Sequence, residues 1–112
     1  MAQSELSNAA IADALEELGD LYELDGAIVH RVQAYRNAAK TVREASVSVA
    51  ALARAGQATH LAGIGATLQQ KIITLLDTGT TPSTERMRAQ FPPGLIAITR
   101  LPGLGPKRAR LL

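Results

Sequence analysis

Apolar residues recur at helical spacing in three long segments of the chain, which are separated by stretches rich in glycine, serine or proline. Positions three, four and seven residues apart share one face of a helix, so each segment presents one apolar stripe. The stripes are Ile11, Leu15, Leu18 and Tyr22; Ile28, Val32, Tyr35, Ala39 and Val42; and Leu68, Ile72, Leu75 and Leu76. The sequence has no run that alternates apolar and polar residues in the manner of a strand. The pattern therefore predicts an all-α fold.

Capping residues and helix breakers divide the chain into short helices. Three helices are expected before the first glycine frame: one capped by Ser7 or Asn8 and ended by Asp25-Gly26, one over residues 27–43, and one capped by Ser46 or Ser48 and ended by Gly56. Three more are expected later in the chain: one over residues 66–77, one over residues 85–90 capped by Ser83 or Thr84, and one over residues 95–99. The stretch 78–82 is the best linker candidate, because it contains a glycine and a proline. We therefore expect a helical domain over residues 1–79 and the start of a second helical subdomain over residues 80–112.

Two stretches repeat one glycine frame at the start of an expected helix. Leu61-Ala62-Gly63-Ile64-Gly65 precedes the third apolar stripe, and Leu101-Pro102-Gly103-Leu104-Gly105 repeats the frame about forty residues later. Glycine lets the backbone turn sharply and lets another backbone approach closely. The first amides of the following helix lack intrahelical partners and lie at the positive end of the helix dipole, which suits a phosphate. The sequence thus predicts two helix-hairpin-helix motifs.

Charge is distributed unevenly along the chain. The net charge is +2, but the first 25 residues contain seven acidic residues and no lysine or arginine, whereas all 12 basic residues follow them. A basic segment of this kind is typical of a nucleic-acid-binding protein. Asp13, Glu16, Asp20 and Glu23 fall opposite the first apolar stripe, and we expect a solvated outer face without partners rather than a metal site. His30 is expected on the polar side of the second helix.

Composition argues against several other classes of protein. The chain has no cysteine and therefore no disulfide or thiolate metal site. No apolar run reaches the roughly 18 residues of a membrane span, and the acidic start of the chain does not resemble a signal peptide. Aromatic residues make up only 3% of the chain, which disfavours base stacking as the main grip on a nucleic acid.

The order of these elements resembles the N-terminal part of bacterial family X DNA polymerases, the group that contains DNA polymerase beta. The resemblance extends from Asn8 to Leu112. It is carried by His30-Arg31-Val32-Gln33-Ala34-Tyr35-Arg36-Asn37-Ala38-Ala39, by residues 61–79, by Pro93-Gly94-Leu95 and by residues 99–112. It implies a lyase-domain-like bundle of four helices, followed by the start of the subdomain that grips the primer duplex. Because the sequence stops only two turns into the last expected helix, we expect a fragment of a longer protein.

The resemblance implies that Lys71 is the amine that forms a Schiff base with the sugar left at an incised abasic site. The residues alone favour an ordinary edge lysine whose stem covers the core. Arg31 and Tyr35 match positions of the family's 5′-phosphate pocket. Thr59 and Thr67 occupy positions where other members carry lysine, so the expected pocket holds less positive charge.

The resemblance also assigns contacts to DNA and to a cation. The expected DNA contacts are Arg31, Tyr35, Arg36, Gly63, Gly65, Ala66, Thr67, Gly103, Gly105, Lys107 and Arg108. The backbone carbonyls expected to hold a monovalent cation, Na⁺ or K⁺, are those of Thr59, Leu61 and Ile64, and of Thr99, Leu101 and Leu104. Mg²⁺ is expected only in the parent polymerase, outside this chain.

The leading hypothesis is a DNA-binding part of a family X DNA polymerase that acts in base-excision repair and gap filling. It would hold gapped, nicked or abasic DNA through phosphates, without reading sequence, as a monomer associated with the bacterial nucleoid in the cytoplasm. The chain itself is a candidate 5′-deoxyribose-phosphate lyase and is not expected to polymerise alone. The alternatives are a non-catalytic clamp with two hairpins and a helical module whose acidic first helix binds a basic protein.

Overall fold

In the computed structural model, residues 6–91 are described, and they form five α-helices and one short 3₁₀ turn. The helices are α1 (Asn8–Leu24), α2 (Val29–Glu44), α3 (Val49–Arg54), α4 (Ala66–Thr78) and α5 (Pro82–Gln90), and the 3₁₀ turn spans Ala58–His60. Residues 6–91 contain no strand, so the predicted all-α fold is confirmed. The predicted second hairpin, with Gly103, Gly105, Lys107, Arg108 and the carbonyls of Thr99, Leu101 and Leu104, lies outside the described residues.

The start of α1 uses both of its capping candidates, but for different purposes. Ser7 is the cap, because its hydroxyl accepts a hydrogen bond from the Ala10 amide. The Asn8 side chain instead reaches the loop between α2 and α3. Its Oδ1 accepts from the Val49 amide at 2.9 Å, and its Nδ2 donates to the Val47 carbonyl at 2.8 Å. Asn8 thus ties the beginning of α1 to the beginning of α3.

The core forms where the apolar stripes of α1, α2 and α4 meet. Its fully buried members include Ile11, Leu15, Leu18, Leu21, Val42, Val49 and Ile72. α1 and α2 approach each other closely at Gly19, where a Cβ would lie 3.2 Å from the Cγ of Arg36. A side chain at this position would therefore force the Arg36 side chain to shift, at a cost in packing.

The acidic face of α1 is solvated only in part, because Asp13 and Glu16 are exposed as predicted, but Asp20 is buried and the face has partners on α2. Asp20 is 7% exposed, and Arg36 on α2 donates to its Oδ1 at 3.0 Å and to Glu23 Oε1 at 2.7 Å. Although partial burial opposes the effect, the two carboxylates raise the pKa of Arg36. The prediction failed because helical periodicity shows only which residues of α1 lie away from its apolar stripe. It does not show that α2 covers one edge of the acidic face. Asp13 likewise pairs with Arg43, at 2.8 Å.

Helix α5 begins earlier than expected and packs on α1. Thr81 is the N-cap and Pro82 the first helical residue, so the prediction of a cap at Ser83 or Thr84 was wrong. The Met87 side chain is fully buried, and Arg88 forms a two-pronged ion pair with Glu17 at 2.6 and 2.7 Å. The predicted boundary after residue 79 stays a prediction, but the helix that follows it contacts the first helix of the chain.

Replacing Arg36 with leucine should lower the free energy of unfolding by about 2 kcal/mol, because a buried carboxylate loses a charged hydrogen-bond partner. Urea denaturation of the variant measures this change. The control is Arg43→Leu, whose ion pair with Asp13 is solvent-exposed and should contribute much less. Equal losses in the two variants would contradict a structural role for the Asp20–Arg36 contact.

Candidate nucleic-acid interface

The first glycine frame, residues 61–65, forms a tight turn that leads directly into α4. Gly63 has a φ of +80°, a backbone conformation that favours glycine, and the Ile64 amide donates to the Leu61 carbonyl at 3.2 Å. Gly65 is the N-cap of α4 and makes no side-chain cap. By contrast, α1, α3 and α5 begin with side-chain caps from Ser7, Ser48 and Thr81. The first amides of α4 therefore have no capping side chain to compete with a ligand.

The two glycines of the turn serve different purposes. Gly65 has a φ of −93° and a ψ of −174°, which is extended backbone open to any residue. A side chain at Gly65 would therefore cause no backbone strain, whereas the positive φ of Gly63 disfavours any other residue. No atom lies within 4 Å of the Cβ that either glycine would carry. The backbone at both positions is thus open to an approaching ligand.

Two side-chain hydrogen bonds hold the hairpin against the helices. The Thr41 hydroxyl on α2 donates to the Ala62 carbonyl at 2.9 Å. Gln69 on α4 accepts from the Thr59 amide at 3.3 Å. These contacts tie Ala62 to α2 and Thr59 to α4, on either side of Leu61 at the start of the turn.

A cavity of about 360 Å³ on one side of the α4 N-terminus brings together five of the predicted DNA contacts. Its lining is Arg31, Ala34, Tyr35, Gly65, Ala66, Thr67 and Leu68. Arg31 supplies its positive charge, and the exposed Thr67 supplies a hydroxyl. The predicted contact Arg36 is elsewhere, because its guanidinium is bonded to the carboxylates of α1.

A second cavity, of about 420 Å³, lies on the other side of the same helix start and contains Lys71. Thr67 borders both cavities, while Thr81 and Pro82 close this one from the beginning of α5. Lys71 is partly buried, and its Nζ donates to the Ser83 hydroxyl at 3.5 Å. The structure therefore places the predicted nucleophile beside the hairpin amides and against α5.

Two tyrosines lie behind Lys71 and Arg31. The rings of Tyr22 and Tyr35 stack with centroids 5.2 Å apart, and the Arg31 guanidinium lies 5.6 Å from the centre of the Tyr22 ring. Burial, with the neighbouring Tyr22, raises the pKa of Tyr35. Burial acts against ionisation of Tyr22 as well, but the Ser83 hydroxyl and the charge of Lys71 together lower its pKa.

The basic side chains divide into two groups. Arg36, Arg43, Arg54 and Arg88 form ion pairs with carboxylates. Arg31, Lys40, Lys71 and Arg86 have no ion pair among residues 6–91. Arg31 and Lys71 belong to this second group and border the two cavities, so positive charge that is not neutralised by the described part of the chain lies at the hairpin.

The hairpin carbonyls predicted to hold a cation are the right kind of ligand for Na⁺ or K⁺, since they are uncharged oxygens. The Leu61 carbonyl already accepts from the Ile64 amide, which leaves it a second lone pair. The cation site stays a prediction. Within the described residues, no cluster of histidine and carboxylate side chains could hold a metal ion. None of the helices in residues 6–91 combines the length and hydropathy needed to cross a bilayer.

Sequence reasoning missed two members of this site. Tyr22 was assigned only to the apolar stripe of α1, and Ser83 only to a cap. Their meeting depends on how α5 packs on α1, for which the sequence offers no periodic signal.

Comparison with known proteins agrees with this geometry. The helix-hairpin-helix domain family matches residues 6–81. One relative is the DNA polymerase/3′-5′ exonuclease PolX of Bacillus subtilis (strain 168), which is 31% identical over 94 residues, corresponding to 84% of this chain and 16% of the relative. The chain therefore spans only a small part of that protein's length. The resemblance to family X DNA polymerases is confirmed, and the chain belongs to the helix-hairpin-helix domain family.

Proposed function

We propose that this chain is the part of a family X DNA polymerase that holds DNA by its phosphates. The observation that carries the proposal is the α4 N-terminus, which lacks a side-chain cap and lies between two cavities that contain Arg31 and Lys71. A phosphate there would accept hydrogen bonds from backbone amides at the positive end of a helix dipole. The relative PolX, a DNA polymerase by name, supports DNA as the source of that phosphate.

The chain binds the phosphate backbone of the nucleic acid and not its bases. Tyr22 and Tyr35 are buried and stacked on each other, so neither offers an open face to a base. Phosphate contacts position a protein on DNA without carrying sequence information. The preferred substrate is therefore defined by structure, as gapped, nicked or abasic DNA.

The chemistry we assign to this site is a 5′-deoxyribose-phosphate lyase reaction within base-excision repair. The Lys71 amine attacks the aldehyde carbon of an incised abasic sugar, and loss of water leaves an imine. Removal of a proton from the neighbouring carbon then expels the phosphate of the downstream strand. The position of Lys71 in a cavity beside the phosphate-binding amides supports this role, because the reacting sugar is attached to phosphate.

A non-catalytic clamp is the second candidate. Thr59 and Thr67 are uncharged where the pocket of related enzymes carries lysine, and this favours weaker binding of the 5′-phosphate. A module that recruits a basic protein through α1 is disfavoured, because Asp13, Asp20 and Glu17 are engaged by arginines of this same chain.

Several finer features belong to the proposal. The carbonyls of Thr59, Leu61 and Ile64 would hold a monovalent cation, which would bridge the hairpin to a DNA phosphate. Mg²⁺ chemistry belongs to the polymerase domain of the parent protein. A monomer associated with the nucleoid in the cytoplasm fits a DNA partner of this kind.

DNA affinity should fall steeply with salt, because bound phosphates release counterions. Arg31→Ala should reduce the slope of log affinity against log salt by about 1, the effect of losing one phosphate contact. Fluorescence anisotropy with gapped DNA between low and moderate salt measures the slope. Arg43→Ala is the control, since Arg43 is paired with Asp13. An affinity independent of salt, or a strong preference for one base sequence, would contradict phosphate binding.

Gly65→Val should weaken DNA binding by about tenfold, the equivalent of one lost charge-assisted hydrogen bond, while the fold remains intact. The backbone at Gly65 accepts a side chain without strain, but that side chain would occupy the approach to the α4 amides. Gly56→Ala is the opposite control. Its φ of +73° makes the substitution destabilising, but Gly56 lies outside both cavities, so DNA affinity should be kept. If Gly65→Val binds DNA as tightly as the parent, the hairpin does not hold phosphate at this position.

Borohydride should trap a covalent complex between this chain and pre-incised abasic DNA, and Lys71→Ala should abolish most of it. DNA affinity should persist in the variant, because the hairpin amides and Arg31 remain. Lys40→Ala, which removes an exposed lysine of α2, should trap as much as the parent. Undiminished trapping in Lys71→Ala would assign the chemistry to another amine, whereas no trapping by the parent would support the non-catalytic clamp.

A further inference from the structure

An incised abasic sugar carries two phosphates, and the hairpin with Arg31 accounts for one of them. One phosphate is the free 5′ end of the strand, and the other joins the sugar to the downstream strand. We propose that Arg86 on α5 binds this second phosphate. The inference rests on the proposed function and adds to it a DNA contact from a helix outside the hairpin.

The two cavities lie on opposite sides of the α4 N-terminus, and this arrangement separates the two phosphates. Arg31 lines one cavity and Lys71 the other, while Thr67 borders both. With the free 5′-phosphate beside Arg31 and the sugar's first carbon on the Lys71 Nζ, the sugar passes Thr67, and its third carbon lies between these two ends. The second phosphate is attached through that third carbon. Because two phosphates repel each other, the second is favoured on the Lys71 side, which the beginning of α5 closes.

Arg86 lies one helical turn beyond the part of α5 that borders the Lys71 cavity. Thr81 and Pro82 line this cavity, and the Ser83 hydroxyl is 3.5 Å from the Lys71 Nζ. Arg86 comes three residues after Ser83, so the two side chains are neighbours on one face of the helix. A strand that leaves the cavity over α5 therefore passes the Arg86 side chain.

Arg86 is the basic residue of α5 that the described part of the chain leaves available. It is exposed and forms no ion pair among the described residues. Arg88, the other basic residue of this helix, is held by Glu17. The neighbouring Glu85 is engaged elsewhere, because its Oε2 accepts from the Thr80 hydroxyl at 3.1 Å and from Arg88 at 3.3 Å. An exposed guanidinium of this kind suits a phosphate, which accepts two parallel hydrogen bonds from it.

The surroundings of Lys71 also favour a phosphate nearby. Among the described residues, those that line its cavity carry hydroxyl, amide or apolar side chains besides Lys71 itself, and none carries a carboxylate. Lys71 and Arg86 thus supply positive charge around the second phosphate, whereas Arg31 and the α4 amides hold the first. Both phosphate contacts position the strand without reading its base sequence.

The experiment measures DNA binding without the lyase reaction, because it uses a stable analogue of the abasic sugar. The first probe is a gapped duplex whose downstream strand begins with a 5′-phosphorylated tetrahydrofuran residue. In the second probe, a neutral methylphosphonate replaces the phosphate that joins this residue to the next nucleotide. In the third probe, the same replacement is made one linkage further downstream. Fluorescence anisotropy measures the affinity of the whole chain for each probe.

Two substitutions of Arg86 and one control are compared with the parent. Arg86→Gln removes the charge, and Arg86→Lys keeps the charge but not the planar guanidinium. Lys40→Gln is the matched control, because Lys40 is also exposed and without an ion pair among the described residues, but lines neither cavity. Urea denaturation measures the stability of each variant.

We expect Arg86→Gln to bind the first probe about three- to tenfold more weakly than the parent, the effect of one exposed charge-assisted contact. The loss should disappear with the second probe, because the partner of Arg86 is then neutral, and it should persist with the third. Arg86→Lys should retain most of the affinity. Lys40→Gln should have the same effect on all three probes, since it is not coupled to a single linkage.

Four results would overturn the inference. If Arg86→Gln binds the first probe as tightly as the parent, Arg86 does not hold DNA, and the proposed function survives. If its loss of affinity is equal for all three probes, or disappears only with the third, Arg86 does not hold the phosphate next to the sugar. If both Arg86 variants lose stability and affinity in parallel, Arg86 is a structural residue. If the parent binds none of the probes, the proposed function fails, and this inference fails with it.

Discussion

The close approach of α1 and α2 is the constraint on which the rest of the structure depends. Gly19 lets the two helices come together, and the bond from Arg36 to the buried Asp20 fixes their register. That register stacks Tyr22 on Tyr35 and brings Arg31 over the Tyr22 ring. Tyr35, which lines the cavity beside Arg31, is itself a neighbour of Gly19, because a Cβ at Gly19 would lie 3.5 Å from the Tyr35 Cβ. A wider separation at Gly19 would therefore displace Tyr35 and, with it, one wall of that cavity.

Carboxylates in the acidic first segment of the chain pair with some of the later basic side chains and leave others without an ion pair. Carboxylates of α1 engage Arg36, Arg43 and Arg88, each of which would otherwise add to a diffuse positive surface. Arg31 and Lys71 have no such partner among the described residues, and both border the cavities at the hairpin. The net charge of the chain is therefore a poor guide to binding, because two of the four cations without an ion pair among residues 6–91 border the cavities at the hairpin.

The local features of the fold could be predicted from sequence, and the long-range ones could not. Ser7 and Ser48, each one of two predicted candidates, cap helices as expected, since a cap depends on a few neighbouring residues. The hairpin was recognisable for the same reason. Asp20 was misplaced because its burial depends on a partner sixteen residues away in sequence. The meeting of Ser83 with Lys71 depends on the docking of α5, which leaves no periodic trace in the sequence.

Helix α5 links the candidate site to the opposite side of the bundle. Its first turn places Ser83 against Lys71, and its last turn anchors Arg88 to Glu17 on α1. Between them, Met87 is fully buried, so the helix cannot slide without opening the core. The same helix follows the predicted linker and leads toward the second hairpin. Any shift of α5 would therefore change the contact between Ser83 and Lys71.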